Sequence, residues 1–579
     1  MLSELAEEVQ CVEHVDSSRP TRALVRSIRS TWCGRGLGPV PRAHDPHARR
    51  SNIAIITSHH PQASIYFNGI TAIERPENFR SRLHEVNTKK DLEDVPTTWG
   101  GYDKFPLRAK IFHREQKPVV AMSGKFHTAW GEFGGFKDPE AIRFEAAGMI
   151  AYGASCNFGD HLHPLGEMDM TTYRNVGHAF EYVEKNESLG LPGSPASTLG
   201  LWASFELEAD EGLARLLLEE QNDFDVVQPG DDLPRFQTIV VPSKPGLLES
   251  SRAELEAFVE GGGSLVILGE GALAATGTPS AASAAAAAGT PAALDVGAHY
   301  LGPGKHDVDY TLPGPTLPGA TASDGTASES AATPAVLNRE AKLPGTPFLN
   351  YAAADRVGLE SGAEELATVR LPYFSRTYGH YCGHQNTPNV PESAGPAAWR
   401  TGPGWRIVVA AHALDRLYYV HGAKVHRNYF AALLRLVHTA PMAEAALPSA
   451  GRVSLLHQPD KNRYVAHLLY GAPIERGRCV VIEDLPELRD MRVRIRVPEH
   501  VKRLRLEPAG TELPMTEAAT AGGGANGGGV ASGATAPSGT GSGWRVVELK
   551  RLCRVSRATR QLCRSIERRT GTQPERFQP

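Results

Sequence analysis

Three stretches of the chain combine an acidic side chain with tryptophan or histidine directly after a short apolar run. In chain order they hold Glu93 and Trp99, then His127, Trp130 and Glu132, then Asp160, His161 and His163. Aromatic rings can pack on the apolar face of a sugar, and carboxylates and imidazoles can bond its hydroxyl groups. Two acids that flank a glycosidic bond would supply acid/base and nucleophilic chemistry. The alternative is that both tryptophans pack at the rim of a core and the acids are solvated or cap helices.

The elements around these stretches are predicted to be a parallel sheet with crossover helices, because short apolar runs alternate with helical patterns. The runs cover residues 64–68, 92–93, 118–123 and 154–158. Asp138 and Pro139 are typical of a helix start. The pattern predicts four βα units over 51–190, or half of an eight-stranded (β/α)8 barrel. In such barrels functional residues follow the carboxyl ends of strands, as all three stretches do here.

The rest of the chain is predicted to hold a second α/β unit and a small antiparallel β-sandwich. Residues 197–440 repeat the alternation of strands and helices, as in a small doubly wound domain, and residues 451–549 show period-two strands. The remaining predicted segments are an irregular leader (1–50), two flexible low-complexity insertions (271–333 and 519–543) and a basic tail (550–579).

Charge and composition give no reason to expect a nucleic-acid or membrane partner. The 579 residues carry a net charge of −4, and no run of 18 apolar residues occurs. The arginine-rich tail could bind nucleic acid or an anionic membrane, but an extension without a function is the simpler interpretation. Seven cysteines without a CxxC pair, and an acidic N-terminus where a signal peptide needs basic charge, favour a reducing, cytoplasmic location.

Longer motifs resemble a known family. Residues 124–139 and 159–164 are similar to the α-L-fucosidase-like "hypothetical glycosyl hydrolase" family, and the similarity extends over 51–515 apart from the low-complexity insertions. Further matching motifs lie at 66–68, 92–96, 99–103 and 371–388. That family joins a barrel to a β-galactosidase-type trimerisation domain with a class I glutaminase-like fold. The resemblance implies a carbohydrate substrate, a homo-oligomer (a trimer), and neither a cofactor nor a metal.

The resemblance also assigns roles to individual residues, with Glu93 as the general acid/base. The residues that would line the sugar subsite are Asn68, Trp99, His127, Trp130, Glu132, Asp160, His161 and His163. Glu132 stands where the family usually carries aspartate. Residues 64–68 correspond to the fifth barrel strand, so the first four strands, and the acidic nucleophile after the fourth, have no counterpart here. The N-terminal half of the barrel is therefore expected to be missing.

Two chemistries are excluded for the second α/β unit. A class I glutaminase needs a cysteine nucleophile, and no cysteine lies between Cys156 and Cys382. Dinucleotide binding needs a glycine-rich turn after the first strand, whereas residues 205–210 are acidic. An assembly role remains. His380, Cys382 and His384 are a weak metal pattern, and we expect their loop to reach the active-site mouth of a neighbouring protomer instead.

Two functions remain open. One is hydrolysis of terminal fucosyl-type or galactosyl-type glycosides by a retaining mechanism, which needs two carboxyl groups about 5 to 5.5 Å apart. The other is a catalytically incomplete homologue that binds carbohydrate or a partner through the assembly and sandwich domains. The motifs around Glu93 and Asp160 favour the first, and the missing barrel half favours the second.

Overall fold

The structure, a computed structural model, is mixed α/β and describes residues 46–67, 71, 85, 87–243, 249–269, 294–320, 342–486, 488, 491–499, 501–513, 516–518, 545–552 and 561–565. Its helices are α1 (Pro46–His59), α2 (Lys104–His113), α3 (Pro139–Ala151), α4 (Met170–Gly190), α5 (Leu207–Glu219), α6 (Glu249–Glu260), α7 (Leu414–His421) and α8 (Lys424–Arg435). In this described part, no helix has both the length and the apolar character needed to cross a membrane.

A three-stranded parallel sheet carries the stretches of interest. Its strands are β1 (Lys90–Glu93), β2 (Val119–Gly124) and β3 (Ser155–Gly159), in the order β1-β2-β3. All three coincide with predicted strands. The predicted start of α3 is also confirmed, because the Asp138 side chain accepts a hydrogen bond from the Glu140 amide and Pro139 takes the first helical position. Helices α2 and α3 cover one face of the sheet through a shared apolar core.

The strand predicted at 64–68 does not form in the described residues. Ser64 and Phe67 make only isolated bridges. The backbone amides of Ile65 and Phe67 donate to the side chains of Thr88 and Asn87, at 2.7 and 2.9 Å. Because side chains take these donors, no strand ladder runs along this segment.

The irregular leader predicted over 1–50 is wrong at its end. Helix α1 begins at Pro46, and proline suits the first turn of a helix because its missing N–H would have no partner there. Residues 1–45 lie outside the described part of the chain.

The second α/β unit is built on a nine-stranded mixed sheet. The strands from residue 194 to 410 are β4 (Ser194–Pro195), β5 (Leu199–Trp202), β6 (Asp225–Val227), β7 (Thr238–Val241), β8 (Ser264–Leu268), β9 (Ala298–Gly302), β10 (Asp309–Pro313), β11 (Phe348–Asn350), β12 (Arg356–Leu359), β13 (Glu364–Pro372), β14 (Asn389–Thr401) and β15 (Ile407–Ala410). The sheet order is β11-β10-β13-β14-β15-β8-β7-β5-β6, and β9 pairs with β12 apart from it. The parallel block from β6 to β15 has the chain order 2-1-3-4-5, which is that of a flavodoxin-like sheet.

The flexible insertion predicted over 271–333 is wrong for its middle part. Residues 294–320 contain β9 and β10, and β10 pairs with β11 and β13 inside the nine-stranded sheet. The alanine-, glycine- and proline-rich composition concealed a few apolar residues, such as Leu294 and Leu317, that become buried. Residues 270–293 and 321–341 lie outside the described part.

Two antiparallel sheets form the C-terminal part. The strands are β16 (Ala443–Ala445), β17 (Gly451–Gln458), β18 (Arg463–Tyr470), β19 (Ile474–Arg476), β20 (Cys479–Val481), β21 (Met491–Val497), β22 (Arg503–Glu507), β23 (Thr511–Glu512), β24 (Thr516–Ala518), β25 (Arg545–Leu552) and β26 (Gln561–Ser565). The sheet orders are β16-β21-β25-β24 and β23-β22-β26-β18-β17-β4, and β19 pairs with β20. The glycine-rich insertion predicted at 519–543 lies outside the described residues.

Two short parts of the predicted basic tail (550–579) form strands, because β25 extends to Leu552 and β26 covers Gln561–Ser565. Strand β26 pairs antiparallel with β18 on one side and with β22 on the other.

Buried polar contacts join the first sheet to the other parts of the molecule. The Lys110 ammonium of α2 lies 2.9 Å from Asp223 Oδ1, and Asp223 Oδ2 accepts from the Leu455 amide of β17 at 2.9 Å. Asp103 forms a two-pronged ion pair with Arg452 of β17, with both N–O distances 2.7 Å. These contacts fix the first sheet, the second unit and the C-terminal sheets against one another.

Candidate functional site at the strand ends

Glu93 ends β1 and lies on the face of the sheet opposite α2 and α3. Its neighbours Leu92 and Asp94 face the helices, and successive strand residues alternate in direction, so the half-buried Glu93 side chain faces the other way. Arg108 of α2 secures the end of the strand, since its Nη1 donates to the Glu93 carbonyl oxygen at 2.7 Å. The Glu93 side chain therefore lies on the face of the sheet opposite α2 and α3.

Trp130 lies across the ends of β2 and β3, and two glycines make this possible. A Cβ on Gly159 would stand 2.6 Å from the indole ring, and one on Gly124 would stand 3.2 Å from it. The Trp130 side chain is 36% exposed and packs edge-on against Phe126, with ring centroids 5.1 Å apart. The indole is therefore held in place at the strand ends while part of its surface remains open to a ligand.

His161 and His163 lie in an aromatic cluster beside Trp130. The His161 ring lies 5.4 Å from Phe126 and 3.7 Å from Phe133, and the His163 ring lies 5.7 Å from Phe133. Neither ring nitrogen of His161 makes a hydrogen bond with a described residue. The imidazole thus keeps its hydrogen-bonding capacity.

Asp160 follows β3 and lies close to two cationic or potentially cationic groups. Its Oδ1 is 3.4 Å from His161 Nδ1 and 3.9 Å from the Lys125 ammonium. The Lys125 side chain is 5% exposed and also lies over the Phe136 ring, 4.9 Å from its centroid. The loops after β2 and β3 therefore bring a carboxylate, an ammonium and an imidazole together.

Glu132 and His127 stabilise the loop after β2. Glu132 Oε1 accepts from the amides of His127 and Thr128 at 2.5 and 2.7 Å, and its Oε2 accepts from the Thr128 hydroxyl. Although the slight burial of Glu132 opposes it, these hydrogen bonds hold the pKa of the carboxyl below its usual value. Glu132 thus already has partners that shape the loop.

Trp99 lies on a neighbouring loop that is tied to the same region. Thr97 Oγ1 donates to the His127 carbonyl at 2.5 Å, and Thr98 Oγ1 donates to the Thr128 carbonyl at 2.8 Å. Trp99 itself is 37% exposed. The remaining predicted ligand, Asn68, lies outside the described residues.

Strand register separates Glu93 from Asp160. Glu93 is level with Met122, which is level with Asn157, so Asp160 is three residues further along and two strands away. Strand spacings near 4.8 Å and rises near 3.3 Å give a Cα separation of roughly 14 Å. Glu93 and Asp160 therefore do not occupy neighbouring backbone positions.

Several site residues were not found from the sequence. Lys125, Phe126 and Phe133 surround His161 and Asp160, but they were treated only as parts of a motif. Their position in the loop after a predicted strand was the available signal. Among the described residues, no group of three histidine, cysteine, aspartate or glutamate side chains is arranged to hold a metal ion.

Comparison with solved structures relates this geometry to known proteins; no family model and no curated protein matches the sequence. The α-L-fucosidase isoenzyme 2 from Paenibacillus thiaminolyticus superposes with a TM-score of 0.71 at 25% identity, covering 96% of this chain and 77% of the fucosidase. The chain is similar to a fucosidase along nearly its whole length. The resemblance to fucosidase-like glycosyl hydrolases found in the sequence is thereby confirmed.

A second neighbour shares the fold alone. The β-galactosidase from Bacillus circulans sp. alkalophilus superposes with a TM-score of 0.50 at 12% identity, covering 83% of this chain and 61% of the galactosidase. Both neighbours are glycoside hydrolases, so the mixed α/β architecture is one that glycosidases use.

Proposed function

We propose that this chain is a glycoside hydrolase-type protein that binds a terminal sugar at the ends of β1, β2 and β3. The observation that carries the proposal is the indole of Trp130, which lies over Gly124 and Gly159 with part of its surface exposed. A flat aromatic surface beside carboxylates and imidazoles suits a pyranose, which has an apolar face and several hydroxyl groups. The likeness to an α-L-fucosidase supports a deoxyhexose, and galactose is the alternative sugar.

In this proposal Glu93 is the general acid/base and the other strand-end residues bind the sugar. Trp99 and Trp130 pack on the ring, and Asp160, His161 and His163 bond its hydroxyl groups. His127 and Glu132 shape the loop that carries Trp130, with Asn68 as a further ligand. The proposed reaction is retaining hydrolysis by two carboxyl groups without a cofactor. Glu93 is one of the two, and no residue of this chain is assigned as the nucleophile.

A catalytically incomplete, carbohydrate-binding homologue is the second candidate. The lack of an assigned partner carboxylate for Glu93 favours it, because a retaining mechanism needs two carboxyl groups about 5 to 5.5 Å apart. A chain that binds sugar without hydrolysing it needs only the aromatic and polar surface.

The finer arrangement is part of the same proposal. We assign residues 51–190 to the C-terminal half of a (β/α)8 barrel, with β1, β2 and β3 as strands 6–8 and the segment 64–68, which forms no strand in its described residues, at the position of strand 5. Residues 197–440 are assigned to a glutaminase-like trimerisation domain, and 451–549 to a β-sandwich that β26 completes. The flavodoxin-like order of the parallel block supports the middle assignment. A homotrimer would follow, and sedimentation velocity on the purified chain tests it. No nucleic acid or membrane partner and a cytoplasmic location complete the proposal.

Hydrolysis of nitrophenyl α-L-fucoside and nitrophenyl β-galactoside by the full chain tests the enzyme. We expect turnover of one substrate, and we expect Glu93→Gln to lower kcat by at least about 100-fold, since general acid/base catalysis contributes that much. Glu360→Gln, a change at an exposed glutamate of the second unit, is the matched control.

Absence of turnover by a folded chain that still binds L-fucose would reject hydrolysis and establish the second candidate. Absence of both turnover and binding would overturn the proposed function altogether. Circular dichroism and thermal unfolding verify that each variant is folded.

A further inference from the structure

A cavity of about 240 Å³ lies on the helix side of the first sheet. Its walls come from three parts of the molecule: Asp94, Phe144 and Gly148 from the first sheet and α3, Arg215 from α5, and Arg452 from β17. None of the described residues assigned to the strand-end site lines this cavity, so the two sites share no assigned residue.

Asp94 lies in the wall of the cavity, and its buried carboxylate has no hydrogen-bond partner among the described residues. The residue is 3% exposed, and neither carboxylate oxygen makes a hydrogen bond with a described residue. A buried carboxylate that lacks hydrogen bonds is costly for the folded state. A hydrogen-bond donor that reached Asp94 from the cavity would lower this cost.

Glu145 provides a second acceptor on the same wall. Its Oε2 accepts from the Ser123 hydroxyl at 2.6 Å and from the Lys137 ammonium at 2.9 Å, whereas its Oε1 has no hydrogen-bond partner among the described residues. Two free acceptor positions on neighbouring carboxylates suit a molecule with several hydroxyl groups.

The surrounding charges favour a neutral occupant. The positive charges of Arg108, Lys104 and Lys137 act on Asp94. Arg452 is neutralised by Asp103, whose pKa stays below its usual value because the guanidinium outweighs the effect of burial. Since cations and carboxylates are interspersed around the cavity, neither an anion nor a cation gains a clear advantage there.

The remaining walls and the volume fit one sugar-sized ring. Aromatic side chains supply apolar surface, from Tyr102, Phe105, Phe144 and Tyr152. A cavity of about 150 Å³ in another protein holds benzene, so 240 Å³ accommodates a six-membered ring with substituents.

We propose that this cavity is a second binding site, for a neutral polyol of monosaccharide size, with Asp94 and Glu145 accepting hydrogen bonds from its hydroxyl groups. The site does not depend on catalysis at the strand ends. The protein could then bind a free sugar in the cavity while the strand-end site is occupied.

Isothermal titration of the full chain with L-fucose, D-galactose and myo-inositol tests the proposal. The background is Trp130→Ala, which weakens the strand-end site and leaves the cavity intact. Gly148→Leu then fills the cavity, because a Cβ at Gly148 meets no atom within 4 Å and leucine is a good helix former. Gly177→Leu is the matched control, since Gly177 also lies in a helix with open space around its Cβ but does not line the cavity.

We expect at least one probe to bind Trp130→Ala and Trp130→Ala/Gly177→Leu with equal affinity. We expect Trp130→Ala/Gly148→Leu to lose that binding and Asp94→Asn to weaken it at least tenfold. No binding to Trp130→Ala by any probe at millimolar concentration would mean that the cavity holds only water and would overturn the proposal. Equal binding by the Gly148→Leu and Gly177→Leu forms would overturn it too. If Gly148→Leu fails to fold, Trp130→Ala/Asp94→Asn takes its place, and unchanged affinity in that variant would overturn the proposal.

Discussion

At the scale of single residues, the strand-end site depends on two positions that lack a side chain. Trp130 can lie across β2 and β3 only because Gly124 and Gly159 leave room for the indole. The sequence indicated a role for Trp130 but none for these glycines. The spacing of residues along the chain does not show that a ring will lie close to the backbone of another strand.

We expect Gly159→Ala to weaken sugar binding at the strand ends several-fold. The new methyl group would stand 2.6 Å from the indole, which must then leave its position. Titration with L-fucose in the Gly148→Leu background, where the cavity is filled, measures this effect alone. Gly177→Ala is the control, and unchanged affinity in Gly159→Ala would contradict the assigned role of Trp130.

A second prediction concerns Asp94, whose pKa burial raises from 3.8 to about 6. Between these pH values the folded chain holds more protons at Asp94 than the unfolded chain does, so this residue lowers stability as the pH rises from about 4 to 6. Asp94→Asn removes that dependence. The free energy of unfolding of Asp94→Asn minus that of the unchanged chain should therefore be larger at pH 7 than at pH 4, by up to about 3 kcal/mol.

Chemical unfolding gives the free energy of unfolding of both proteins at pH 4 and at pH 7. The change between the two pH values is then compared between the two proteins, so that the contributions of the other titrating groups cancel. A difference near zero would show that Asp94 is not desolvated in the folded chain.

At the scale of elements, strands and helices with a clear apolar pattern were predicted correctly. Strands in segments of unusual composition were not predicted. Strands β1, β2 and β3 and helix α3 follow from apolar periodicity and from the capping pair Asp138 and Pro139. The strand predicted at 64–68 does not form in the described residues, because the amides of Ile65 and Phe67 donate to the side chains of Thr88 and Asn87 and not to a neighbouring strand. The sequence did not predict strands β10 and β26 for another reason. Each pairs with strands from other parts of the chain on both sides, and a single sequence does not show those partners.

For α3 we expect Asp138→Ala to destabilise the first turn by about 1 kcal/mol, because the side chain accepts a hydrogen bond from the Glu140 amide. Hydrogen exchange of the α3 amides measures the change locally, without assuming that the whole chain unfolds in one step. Asp138→Ser retains an acceptor and should recover most of the loss. Equal exchange in the alanine and serine variants would contradict the capping role.

At the scale of the whole molecule, Asp223 contacts residues from two other parts of the chain. It pairs with Lys110 of α2 and accepts from the Leu455 amide of β17. Sequence analysis could divide the chain into units, but it could not show this contact, because the three residues are widely separated in sequence.

We expect Asp223→Ala to cost about 3–5 kcal/mol, since it leaves the Lys110 ammonium buried without its partner. Scanning calorimetry should show a lower melting temperature and separate transitions where the unchanged chain shows coupled ones. Asp232→Ala, at an exposed aspartate of the same unit, is the control. A single transition at an unchanged temperature would contradict the joining role of Asp223.

The position of β26 has a consequence for the order in which the molecule is made. Strands β18 and β22 are synthesised before β26, yet each uses β26 as a neighbour. During translation, β18 and β22 each have an unpaired edge until residues 561–565 emerge from the ribosome. Unpaired strand edges readily pair with other chains. The C-terminal sheet can therefore be completed only after residues 561–565 have been synthesised.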